Sequence, residues 1–150
     1  MNRREAYINK IETAYHEYLA ASIAIELLEI RLRADPSFFT GRELRSRIAR
    51  ELRENLEGTY LIRLFAVFEA GLRDAWLNNW HRNKEPPVST LIDAIATKRI
   101  IKEDWVDWVH KIRDHRNGLI HQDAAGVEPI TIEESQKYLR AYFSSLPKDW

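Results

Sequence analysis

The sequence predicts an all-α fold, an up-and-down bundle of four long helices and one short helix. Three observations carry that expectation. Glycine and proline number only five each in 150 residues, too few punctuators for a chain of many turns. Apolar residues recur at spacings of three and four over long stretches, the pattern of a helix buried along one face. Thr40–Glu43 and Thr131–Glu134 have the hydroxyl-to-carboxylate spacing of a capping box, each just before such a stretch.

The first helix is expected from about Arg3 to Arg33, with Ile8, Ile11, Tyr15, Tyr18, Leu19, Ile23, Leu27 and Ile30 along its apolar stripe. Asp35-Pro36 ends it, because proline disfavours the helical conformation of the residue before it. Phe38 and Phe39 are expected to tuck under the turn. A second helix opens at Thr40, and Leu44, Ile48 and Leu52 continue its stripe among alternating arginines and glutamates. Gly58 marks a place for a bend. From Thr59 to Trp80 nearly every side of the helix is apolar, which places it at the centre of the bundle. Glu69 and Arg73 are out of place there, and their i, i+4 spacing lets them pair.

His81 to Pro87 is a polar loop. Ser89 or Thr90 caps a short helix ending near Ala96, with Leu91, Ile92 and Ile95 inward. Lys98 to Lys102 forms a turn, and a further helix begins near Glu103. Gln122 to Pro129 is a second loop. The last helix runs from Thr131 to about Ser145, with Tyr138, Leu139, Tyr142, Phe143 and Leu146 inward. Residues 1–150 read as one domain with no repeat and no dividing linker.

Composition removes several classes of function. Without cysteine there is no disulfide, no thiolate zinc site and no cysteine nucleophile, which fits a reducing, cytoplasmic setting. The formal net charge is zero, so affinity for a polyanion has to come from a local patch. The N-terminus leads into no uninterrupted apolar stretch, as a signal peptide would. The most apolar segment, Tyr60 to Leu77, carries Arg63, Glu69, Arg73 and Asp74 and suits a core rather than a membrane.

The chemistry concentrates in Ile112-Arg113-Asp114-His115-Arg116-Asn117-Gly118-Leu119-Ile120-His121. On a helical wheel, His110, Arg113, Asp114, Asn117 and His121 share a polar stripe, and Trp105, Val109, Ile112, Leu119 and Ile120 an apolar one. Arg116 falls inside the apolar stripe, where a guanidinium is costly unless paired. Glu69 is its expected partner. Asn117 and His121 are four apart, so the amide can orient the imidazole. The plainer reading of this face is a solvated helix with one snorkelling arginine. Asp107, His110 and Asp114 also share one side. However, no second Glu-x-x-His exists to complete a dimetal bundle, and no metal or cofactor is expected. Trp76, Trp80, Trp105 and Trp108 have the spacing of core residues rather than of base-stacking platforms.

Arg116-Asn117-Gly118-Leu119-Ile120-His121 resembles the Arg-x(4–6)-His motif of the HEPN superfamily, which sits on a helix within an all-α bundle. Phe65-Ala66-Val67-Phe68-Glu69-Ala70-Gly71-Leu72-Arg73 is similar to an acidic segment seen in several HEPN groups. The resemblance spans roughly Gly58 to Leu146. It implies a metal-independent endoribonuclease of the toxin or antiphage-defence kind, in which an RNA 2′-OH attacks the adjacent phosphate. His121 would be the acid/base and Arg116 the phosphate-neutralising cation. Asn117 would position either group, with Glu69 in support. Arg113 is a further phosphate contact suggested by the wheel alone. The resemblance also implies a homodimer with a composite active site, and it admits an antitoxin or other regulatory partner protein. A non-catalytic HEPN-like module that binds nucleotide or a protein partner is the alternative. One departure bears on control. HEPN toxins regulated by nucleotidylation carry a tyrosine two residues after the motif histidine, and here that position is Asp123.

Overall fold

A computed structural model describes residues 1–45, 47–80, 86–121 and 128–150. Five helices follow one another, and no strand occurs among the described residues: α1 is Arg3–Ala34, α2 Ile48–Trp80, α3 Val88–Arg99, α4 Glu103–His121 and α5 Ile132–Ser144. The central position expected for the apolar second helix is observed, since α2 touches all four others. The lengths divide differently from the expectation. At 32 and 33 residues, α1 and α2 are far longer than α3, α4 and α5, with 12, 19 and 13.

Local chemistry explains the helix ends. The Asn2 side chain caps α1 by accepting the Glu5 N–H at 2.9 Å. Past the end of α1, Asp35 accepts both the N–H and the hydroxyl of Ser37. Thr131 and Glu134 form the expected capping box of α5, with both reciprocal bonds present. Thr40 and Glu43 do not form one, and α2 begins eight residues later than the sequence suggests. Instead Gly41 adopts a left-handed φ of +79°, and the Thr40 N–H bonds the Ser37 carbonyl at 2.7 Å. These turns bury Phe39 and leave Leu44 half exposed, so burial of the aromatic prevails over the capping signal. α3 starts at Val88, behind an N-cap at Pro87 that offers no side-chain bond. It runs past Ala96 to Arg99 and ends at Ile100, which is left-handed at φ +52°. The His81 to Pro87 and Gln122 to Pro129 loops fall mostly outside the described residues.

The core is aromatic at its centre. Phe68 of α2 receives Tyr142 and Phe143 of α5 edge-on, with interplanar angles of 79° and 87°. Ile11 of α1, Leu91, Ile92 and Ile95 of α3, and Ile112 of α4 close around them. At Gly71 side chains of α1 and α5 pack directly on the α2 backbone. A Cβ there would lie 2.9 Å from the Tyr7 ring and press on Phe143. Gly71→Ala is therefore expected to cost about 1–3 kcal/mol by overpacking, measurable as a lowered denaturant midpoint.

The buried Tyr142 hydroxyl donates to the Ile92 carbonyl at 2.6 Å and ties α5 to α3. Burial, helped by the Asp93 carboxylate, pushes its phenol far above the ordinary tyrosine range. The folded protein thus keeps a proton that the unfolded chain releases near about pH 10. This contribution to stability is complete below that pH and is lost as pH rises beyond it. Tyr142→Phe should flatten the alkaline fall in melting temperature between pH 7 and about pH 11, while costing about 1 kcal/mol at neutral pH.

Relative levels along α2 position the rest. α4 runs antiparallel to α2, with Arg116 beside Phe65 and Glu69 and with Leu119 over Gly58, whose added Cβ would meet Leu119 at 3.4 Å. Gly58 serves this contact, and α2 continues through it as one helix. Nearby, the Glu57 carboxylate accepts the Ile132 N–H at the start of α5. Beyond this level α1 and α2 continue together as a two-helix hairpin, clamped by the Arg53 fork on Glu29 at 2.6 and 2.8 Å. The expected α1 stripe is consequently covered in its first half only. Ile11 is buried, whereas Leu19, Ile23, Leu27 and Ile30 are exposed.

Candidate active site

The site is built where α4 crosses the middle of α2. Glu69 projects from α2 within a largely apolar surface and lies between two arginines. One of its oxygens accepts Nε and Nη2 of Arg73, one turn on, at 3.1 and 2.7 Å. The other accepts Nη2 of Arg116 at 3.0 Å, the pairing the sequence suggests. The three side chains are only 21–28% exposed. Two guanidinium groups thus share the Glu69 carboxylate.

Arg116 has two further contacts. Its Nη1 donates to the Asn117 side-chain oxygen at 2.9 Å, and its guanidinium lies 4.9 Å from the centre of the Phe65 ring. Its Nε is buried without an acceptor among the described residues. Phe65 is the participant that sequence reasoning missed. The available signal was its spacing of four from Glu69, which puts both on the side of α2 facing α4.

The polar stripe of α4 divides into separate pairs. Arg113, expected on the exposed stripe, is 19% exposed and folds back along its own helix. Its Nε and Nη2 donate to Asp114 at 3.0 and 2.6 Å, and its Nη1 meets His110 Nδ1 at 3.0 Å. The other nitrogen of His110 bonds Asp93 of α3 at 2.6 Å. Arg113 thus belongs to a link between α3 and α4 rather than to the Arg116 cluster. His110 and Asp114 are both held by Arg113, and no group of three or more metal-ligating side chains is gathered among the described residues. Trp76 is buried, whereas Trp108 is half-buried and stacks on Tyr138 at 4.4 Å, joining α4 to α5.

His121 is the last residue of α4 and is exposed. It makes no hydrogen bond to another described residue, and the Asn117 oxygen expected to orient it is taken by Arg116. α4 remains helical through Gly118. Five residues along an unbroken helix separate Arg116 and His121 by about 140° of rotation, so the two side chains leave α4 in different directions. Ile120 beside them is 46% exposed, although the wheel places it on the apolar stripe. Asp123 lies outside the described residues.

Among known proteins, no family model, no curated protein and no solved structure matches the chain. The fold and site therefore define a helical bundle of five helices with an arginine–carboxylate–arginine cluster at its α2–α4 crossing. No helix among the described residues is long and apolar enough to cross a membrane.

Proposed function

We propose that the chain is a metal-independent endoribonuclease of the HEPN kind, serving as a toxin or antiphage-defence nuclease. The observation that supports this reading most is the state of Arg116. Glu69, Asn117 and Phe65 hold its guanidinium in place, one and a half helical turns before an exposed histidine that bonds no other described residue. Preorganised positive charge of this type stabilises a phosphorane-like transition state.

In the proposed reaction the 2′-oxygen of RNA forms a bond to the adjacent phosphorus and the bond from phosphorus to the 5′-oxygen breaks. His121 takes the 2′-OH proton, and solvent water, to which that proton later returns, gives one to the departing 5′-oxygen. The products are a 2′,3′-cyclic phosphate and a free 5′-OH. The rotation between Arg116 and His121 gives the dimer a chemical purpose: a second protomer supplies one of the two groups to each scissile phosphate. RNA incubated with the protein in EDTA should be cleaved to cyclic-phosphate ends while DNA of the same sequence stays intact.

A second reading draws on the same arginine. Two of the three guanidinium nitrogens of Arg116 are bonded internally, which suits a non-catalytic module that binds nucleotide or a protein partner. Intact RNA, together with saturable nucleotide binding, would favour that module over the nuclease.

A further inference from the structure

The distal half of α1 carries a pattern that neither the core nor the proposed site uses. Ala20, Ile23, Leu27, Ile30 and Ala34 alternate at spacings of three and four, the seam of a coiled coil. They lie roughly opposite Ile25, the buried residue by which this part of α1 meets α2. All five are exposed, Ile23 at 59%, Leu27 at 62% and Ile30 at 49%. Leu19 and Ala24 widen the strip. Four large aliphatics in one exposed row exceed what scattered surface residues explain.

The flanking charges identify the occupant. In the register set by Leu27, Glu26 lies on one flank with Arg33, and Arg31 lies on the other. If two copies of α1 run parallel, Glu26 of each meets the partner's Arg31. If they run antiparallel, Glu26 meets the partner's Arg33. Opposite charges face one another in both directions, and two-fold symmetry makes each contact twice. We propose that this face of α1 pairs with the same face of a second copy of the chain, forming a two-stranded helical seam. The seam is separate from the contact that the nuclease reading requires. α1 does not touch α4, because α2 and α5 stand between them, so pairing through α1 leaves the Arg116 cluster of each copy unpaired.

The experiment is sedimentation equilibrium of the full chain over a concentration series, with melting curves as folding controls. The wild type should self-associate. Leu27→Glu and Ile23→Glu should each weaken association at least about tenfold with unchanged melting of the protomer, since both positions are exposed. Glu26→Arg should weaken it less, and adding Arg31→Glu and Arg33→Glu should restore it. A wild type that is monomeric throughout would overturn the proposal, as would association indifferent to Leu27→Glu or a charge-exchanged variant that stays dissociated. RNA cleavage by the same samples separates the two proposals: lost seam with retained cleavage counts only for the seam, and retained seam without cleavage counts only against the nuclease.

Discussion

Glu69→Ala is expected to destabilise the fold by about 2–3 kcal/mol, among the largest effects of any single side-chain truncation outside the aromatic core. Among the described residues the carboxylate is the only anion bonded to Arg116, and it holds two arginines at once, one from its own helix and one from α4. Its removal leaves a guanidinium 21% exposed above Phe65 with the Asn117 oxygen as its remaining acceptor. Residual access to water keeps the effect below that of a fully buried pair. Glu69→Gln retains the shape and an acceptor, so roughly half the loss is expected. Chemical denaturation of the three proteins measures this directly. Equal midpoints would mean that the cluster contributes nothing to the fold.

His121→Ala and Arg116→Ala should separate chemistry from stability. Loss of an acid/base group lowers the cleavage rate about 10²–10⁴-fold, and melting should not change because His121 is exposed. Loss of the Arg116 guanidinium lowers the rate about 10²–10³-fold and also lowers stability by about 1–2 kcal/mol, since Glu69 loses one partner and Phe65 loses its cover. Mixing the two inactive variants is the sharper measurement. In a composite site, one of the two sites of a mixed dimer receives Arg116 from one copy and His121 from the other, so activity should return on mixing. If each protomer uses its own pair, the mixture stays inactive.

Several features of the site could be read directly. Arg116 stood out as a cation in an apolar stripe and Glu69 as an anion in a nearly apolar helix, and the mutual need of two misplaced charges joined them correctly at 3.0 Å. The capping box at Thr131 was equally legible, because its bonds are confined to four residues. The same motif at Thr40 failed, since there Phe39 had a buried place to reach and Gly41 allowed the turn that takes it there. Arg113 illustrates a different limit. A wheel gives the direction of its Cβ, but Asp114 and His110 decide where the long side chain goes. Asn117 stands within reach of both Arg116 and His121, and spacing alone does not choose between them.

The sequence by itself determined five helices, the central place of α2 and the pairing of Glu69 with Arg116, because periodicity acts within neighbouring turns and a charge in an apolar stripe demands an opposite charge wherever the fold can supply one. The tertiary structure alone decided how far each helix is covered. α4 and α5 meet α2 at the level of Glu57 and Gly58, and beyond it, among the described helices, only α2 packs on α1. An aliphatic stripe has the same period whether it faces a core or water. Leu19, Ile23, Leu27 and Ile30 therefore read as core in the sequence and lie on the surface in the fold.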